Sequence, residues 1–296
     1  MMNKFDSLKK RLEKATEGKE KDIAKRYALL FREINSLLSE YYRKYEIDGK
    51  LTYMEMVKYQ RLEKMLKEIN KLINESEKTL RNEIRRHLRE QFSESYYQTS
   101  FILETTAQAK IGYSALRNEV IDEAININFT GLTLNERLSK RRTDLIYSMR
   151  ETITRGLIEG QTYRGMANII KDQLEGDLVK AQRIVRTESH RAREAASLNS
   201  VKFAESKGII MKKTWNTVKD ERVRNNHARL DGKTLSIDKL FKIDGYEAEA
   251  PGQFGFPEMD INCRCFLTYE IVDVKKPQHE ELADLTYAEW RKERLK

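Results

Sequence analysis

A chain of 296 residues, 35% of them charged, with 3 Pro and 13 Gly, is long enough for one large domain or two ordinary ones; so few turn formers exclude a turn-rich sandwich and favour long helices. Its formal net charge of +9 gathers early, since residues 1–100 hold 23 Lys and Arg against 17 Asp and Glu; the excess suits a polyanion or an acidic protein as neighbour, and the interleaved acids suit a solvated mixed-charge surface. No apolar run approaches eighteen residues, the start Met-Met-Asn-Lys-Phe-Asp lacks an apolar signal stretch, and two cysteines one residue apart make no disulfide framework, so a membrane-spanning or disulfide-stapled secreted chain is excluded and synthesis in a reducing cytoplasm is expected.

Residues 4–45 carry an amphipathic pattern. Ile23, Tyr27, Leu30, Ile34, Leu37 and Tyr41 step by four and three, with Ala24, Phe31, Leu38 and Tyr45 on the adjacent line, which predicts a coiled-coil-like helix. Asp48-Gly49 breaks it. A second stripe follows in Met54, Val57, Leu62, Leu66, Ile69, Ile73, Leu80, Ile84 and Leu88. Residues 1–100 therefore read as a long antiparallel helical hairpin with arms of roughly 60 Å at ~1.5 Å per residue. Tyr41, Tyr42, Tyr45, Tyr53 and Tyr59 gather near its tip, where core packing is their expected role. The basic run Arg85-Arg86-His87-Leu88-Arg89 is expected to be a solvated helix face.

Residues 101–207 read as a helical body. The stretch 91–131 predicts a shorter, less regular helix whose alanines, Ala107, Ala109, Ala115 and Ala124, allow close approach, ended by Phe129-Thr130-Gly131. Thr133-Leu134-Asn135-Glu136 matches a capping box and opens a helix through Leu138, Leu145, Met149, Ile153 and Leu157 to Gly160. Gln161-Thr162-Tyr163-Arg164 opens another to Leu174. Gly176-Asp177 is expected to break and cap the chain again before a long helix from Leu178 to Ser206.

At Gly208 the pattern changes, and residues 208–275 read as a small α+β unit. Ile209 to Val218, with Trp215, alternates as a strand; Asp220 to Leu230 reads as a short helix ended by Asp231-Gly232. Residues 233–260, with Asp244-Gly245, Pro251-Gly252, Gly255 and Pro257, read as loops, and Cys265 to Val274 is the strongest strand. Residues 276–296 form a tail with a last helix over Leu285 to Leu295. The predicted fold class is mainly α, with a long N-terminal hairpin and a small C-terminal α+β unit.

Three chemistries compete for the residues of this C-terminal region. His227, Cys263 and Cys265 are soft metal ligands, but a structural zinc site usually takes four, and the fourth would have to be His190, Asp220, Asp231 or Asp260. A thiol nucleophile or a His/Asn nuclease has its raw material in the cysteines and in Asn225-Asn226-His227, yet nothing places either cysteine at a helix N-terminus and no second histidine stands at a suitable spacing. The third is structural. Arg186, Glu188 and Arg191 on one helix face Asp220, Arg222, Arg224, His227 and Asp231 on another element, and alternating guanidinium and carboxylate groups can build a partly buried network that seats the small unit on its helix. The structural role is favoured; no catalytic residue and no cofactor are expected, with zinc at His227, Cys263 and Cys265 as the alternative.

Three motifs in order carry a resemblance. Arg186-Thr187-Glu188 lies on a long helix, Asp220, Arg222, His227, Asp231 and Gly232 fall in Asp-x-Arg-x-Arg-x-x-His-x-x-Leu-Asp-Gly-Lys, and Asn262-Cys263-Arg264-Cys265 precedes a strand. Over about residues 130–274 the chain resembles the Mu F-like head morphogenesis family of tailed-phage minor head proteins. The resemblance implies a minor capsid component of the virion at the portal vertex, acting in head assembly and DNA packaging or delivery, with the portal protein, capsid or scaffold proteins and double-stranded DNA as partners. It implies no known catalytic activity; toxin-like ADP-ribosyltransferase or nuclease action and sequence-independent DNA binding are the alternatives. Many relatives carry Cys-x-x-Cys where this chain has Arg224-Asn225-Asn226-His227, so a four-thiolate site is not implied here.

Overall fold

A computed structural model describes residues 2–128 and 131–296. The chain falls into two compact units: one takes the described residues of Met1–Glu17, Arg85–Thr133 and Val185–Lys296, the other takes Gly18–Ile84 and Leu134–Ile184. Helices α1 (Met2–Tyr45), α3 (Arg61–Ala107) and α6 (Tyr163–Ser206) supply residues to both. Among the described residues no helix is long and apolar enough to cross a membrane.

In the second unit, α1 and α3 are antiparallel arms. Ile47 and Lys50 exchange backbone hydrogen bonds around Asp48 and Gly49, both at positive φ, which closes a tight turn; Arg26 pairs with Glu83 far from it. The buried line of α1 is Ile23, Tyr27, Leu30, Ile34, Leu38 and Tyr42, not Leu37 and Tyr41. The heptad pattern fails because a straight helix of 3.6 residues per turn drifts about 20° per heptad, so the seam moves to the eleven-residue spacing from Tyr27 to Leu38. The second stripe is buried from Leu62 onward, but Met54 and Val57 are exposed: α2 (Tyr53–Val57) and a kink at Tyr59 (φ 56°) set that segment apart from α3, and Met56 is buried instead. Of the five tip tyrosines only Tyr42 is buried, donating to Gln161 O at 2.7 Å, whereas Tyr59 is 79% exposed beside Arg61.

Helix α5 (Leu134–Ile158) and α6 complete this unit around Leu138, Leu145, Met149, Ile153, Met166, Ile170 and Leu174. Gly176-Asp177 does not break the helix. Gly176 keeps helical backbone, and the Asp177 carboxylate, which a cap would have used on its own backbone, binds Tyr27 Oη at 2.6 Å and the Arg141 guanidinium. Arg141 also meets Glu77, so four polar groups from four helices are buried together.

In the first unit α3 continues unbroken to Ala107, and the expected irregular helix shrinks to α4 (Asn118–Ile125). Phe129 and Thr130, read as a helix end, lie outside the described residues. His87, expected on a solvated face, is buried with Nε2 3.1 Å from Ser189 Oγ. A three-stranded antiparallel sheet follows in the order β2 (Thr234–Ser236), β1 (Ile209–Asn216), β5 (Phe266–Val274). Period-two alternation buries Ile209, Met211, Lys213 and Trp215 of β1 on one face. The region 233–260, expected to be loops, holds β2, a hairpin of β3 (Phe241–Ile243) and β4 (Tyr246–Ala248), and α8 (Pro257–Asp260). The hairpin turns on Asp244 (φ 49°) and Gly245 (φ 83°), the left-handed pair a two-residue turn requires. Helix α9 (Tyr287–Arg294) is opened by a Thr286/Glu289 capping box and anchored by Trp290, whose Nε1 donates to buried Glu104 at 2.7 Å.

Candidate functional site

All three signature motifs lie in the first unit. Thr187, His190, Arg191 and Glu194 recur at intervals of three and four on α6, so they share one buried face, and each bonds main-chain atoms of another segment. Thr187 Oγ1 accepts the Asn262 N–H at 3.2 Å. His190 Nε2 lies 2.7 Å from Cys265 O; a carbonyl only accepts, so this nitrogen carries the ring proton. Arg191 donates to Ala124 O (3.0 Å) and Ile125 O (3.1 Å), covering carbonyls that end α4, and to Glu188 Oε2 at 2.9 Å. Glu194 Oε2 accepts the Leu267 N–H at 3.0 Å. Burial drives His190 down to about 3 and Glu194 up to about 7. Arg186 stands on the exposed side of α6.

The second motif is less helical than its spacing suggests. Helix α7 covers only Asn225–Ala228. Asp220 Oδ1 accepts the Arg222 N–H at 3.0 Å, a local side-chain turn that competes with helix, and Arg224 is extended as the residue before α7. Arg224 donates to Ile261 O. Asp231 lies beyond α7, where Oδ1 accepts the Thr217 N–H at 2.8 Å; these bonds hold its carboxyl below the usual range. Asp220 is likewise held low by the bidentate Arg264 guanidinium, and Arg222 is exposed.

The third motif enters β5 through Asn262, at φ 57°. Cys263 and Cys265 stand two residues apart, so their side chains share one side while Arg264 turns outward to Asp220. Both sulfurs converge on one atom: His227 Nδ1 is 3.6 Å from Cys263 Sγ and 3.4 Å from Cys265 Sγ. All three residues are buried. Trp215 meets the imidazole edge-on with centroids 5.9 Å apart, and Phe254 lies at 5.7 Å. The neighbouring Cys265 thiol and burial push the Cys263 thiol up, and the neighbouring Cys263 holds Cys265 down. Thiols this enclosed are out of reach of a bulky substrate, and the arrangement is suited to a small soft cation.

The structure thus pairs Thr187 with Asn262, Glu188 with Arg191, Asp220 with Arg264 and, at 3.8 Å, with the Arg222 guanidinium, and His227 with both cysteines. None of the four candidate further ligands stands with the cysteines: His190 is engaged at Cys265 O, Asp220 at Arg264, Asp231 at Thr217, and Asp260 at the N–H groups of Phe254 (3.1 Å) and Gly255 (2.6 Å). Sequence reasoning missed Glu194 and the structural use of His190 and Asp260. The three- and four-residue recurrence from Thr187 carried the signal for the first two; nothing local marks Asp260.

Residues 148–268 match the family model described as Phage Mu protein F like protein. Minor head protein GP7 of Bacillus phage SPP1 is 31% identical over 300 residues, spanning 98% of this chain and 97% of that protein. An NAD(+)--arginine ADP-ribosyltransferase, EFV of Enterococcus faecalis (strain ATCC 700802 / V583), is 29% identical over 253 residues, spanning 83% of this chain but 52% of its own length. No solved structure matches the chain.

Proposed function

We propose, for a chain that belongs to the phage Mu F-like family of minor head proteins and so serves phage head morphogenesis, a non-catalytic part at the portal vertex of the virion. The observation that carries this reading is how the buried polar groups in and beside the three motifs are used: Thr187, His190, Arg191, Glu194, Arg224 and Asp260 all bond backbone atoms. Groups committed to holding main chain in place are fold-defining, and a catalytic acid or base needs a free path to a substrate. The transferase relative supports an enzyme less well, because about half of its length lies outside the match. Capsid proteins and the portal protein are the proposed partners.

Packaged double-stranded DNA is a further proposed partner. Lys67, Lys71 and Lys78 are exposed on one line of α3, with Asn74 between them. Such a row can follow a phosphate backbone without reading bases. Binding that weakens steeply with salt supports this, and salt-insensitive or absent binding excludes it.

Deleting the gene tests the main reading. Loss of infectious particles, with co-purification of the protein with portal or procapsids from wild-type infections, supports it; normal DNA-filled infectious heads without the protein sink it. Incubation of pure protein with labelled nicotinamide dinucleotide and an arginine-rich acceptor, or with plasmid and divalent metals, tests the enzyme alternative, and turnover there would displace the structural reading.

A further inference from the structure

The His227–Cys263–Cys265 cluster is not explained by a fold-defining role. In an uncharged state the ring nitrogen Nδ1 offers one lone pair or one hydrogen. Two sulfurs nevertheless approach it, at 3.6 Å and 3.4 Å, and one of these approaches is left without a good hydrogen bond. Among the described residues the other ring nitrogen, Nε2, is buried without a hydrogen-bond partner, so the ring's close polar contacts are those of Nδ1 with the thiols.

The spacing has a different meaning around an ion. Tetrahedral zinc with Zn–S near 2.3 Å and Zn–N near 2.05 Å places sulfur and nitrogen donors about 3.6 Å apart. The observed separations of 3.6 Å and 3.4 Å lie at and slightly below that value, and all three donor atoms lie within 4.8 Å of one another. The chain geometry delivers them from separate segments: α7 presents His227, while Asn262 in the left-handed region and the two-residue spacing of the cysteines turn both sulfurs the same way. Trp215 and Phe254 pack on the ring and fix its plane.

We propose that His227 Nδ1, Cys263 Sγ and Cys265 Sγ bind one zinc ion, a buried metal that ties α7 to the segment entering β5. Binding releases the two thiol protons to solvent, and the resulting zinc, two thiolates and neutral imidazole carry no net charge. A neutral cluster avoids the large cost of burying an ion in an apolar site. The fourth position falls to a water molecule, because His190, Asp220, Asp231 and Asp260 are each engaged elsewhere. The ion closes loops of 36 and 38 residues, and it stabilises the folded chain by binding a site that the unfolded chain lacks.

Elemental analysis of reduced full-length protein, expressed with zinc and purified without a metal-binding tag, tests this. The expected content is about one zinc per chain, and exchange for cobalt gives a thiolate-to-cobalt charge-transfer absorption. Cys263→Ser and Cys265→Ser each lose both signals, whereas Arg264→Ala, altering the outward-facing residue between them, keeps both. Less than about half an equivalent of zinc in the unaltered protein overturns the proposal whatever the variants do, as does zinc retained by both cysteine variants.

Discussion

Arg141→Met isolates the consequence of a buried charge set. The Arg141 guanidinium, 4% exposed, faces Glu77 and Asp177, each 5% exposed, and touches the Tyr27 hydroxyl, which itself donates to Asp177. Removing the cation leaves two carboxylates with little water. Breaking a buried pair in this way costs about 3–5 kcal/mol. The low end applies, because Tyr27 still bonds Asp177 and burial already raises the Glu77 pKa, so Glu77 can take up a proton instead. A loss of about 3 kcal/mol out of the roughly 5–15 kcal/mol that stabilise a domain lowers Tm by on the order of 10 °C. The loss depends on pH. Carboxylates whose folded pKa is raised contribute stability that is fully present below their unfolded pKa near 4 and disappears as pH rises through the folded value. Urea unfolding followed by circular dichroism should therefore separate variant from parent widely at pH 8 and less at pH 5. A triple variant, Arg141→Met with Glu77→Leu and Asp177→Leu, should recover most of the difference. A parental midpoint for Arg141→Met at pH 8 refutes the reasoning.

Other expectations follow the same physics. Burial lifts Glu194 to about 7, so its contribution is full below pH ~4.3 and lost as pH rises through 7, a change on the order of 3 kcal/mol; Glu194→Gln, which still accepts from Leu267 N–H, should flatten the dependence of Tm on pH between 5 and 8. Gly252→Ala places a methyl 3.1 Å from His190 Nδ1 at a φ of 77°, and thermal unfolding should show a loss of about 1–3 kcal/mol. Asp220→Asn weakens a pair at the solvent boundary and should leave Tm unchanged within repeat scatter, while the buried-charge variant above does not.

Long-range periodicity was legible in the sequence and local exceptions were not. The stripes of α1 and α3 announced the two arms, because burial of one helix face repeats every turn. The residues that close the α1 seam, Leu38 and Tyr42, depend on whether the helix follows a seven- or eleven-residue repeat, and neighbouring helices decide that. Gly176-Asp177 had the composition of a break, but the partners that keep Asp177 in a helix, Tyr27 and Arg141, are 150 and 36 residues away. Asp244-Gly245 was read as part of a loop-rich stretch, because strands of three residues on either side are too short to alternate visibly. At the site, the types of the metal-capable residues were plain from sequence. Their convergence was not, since His227 and the cysteines meet only once α7 and the segment entering β5, 36 and 38 residues apart at these positions, are brought together.

Locating the protein in purified heads and counting its copies per particle tests the central claim most directly. Quantitative mass spectrometry of purified particles, combined with electron microscopy of heads bearing a label on this protein, gives both numbers. A few copies confined to the portal vertex are predicted. Absence from DNA-filled infectious heads, or an even distribution over the whole shell, contradicts the account.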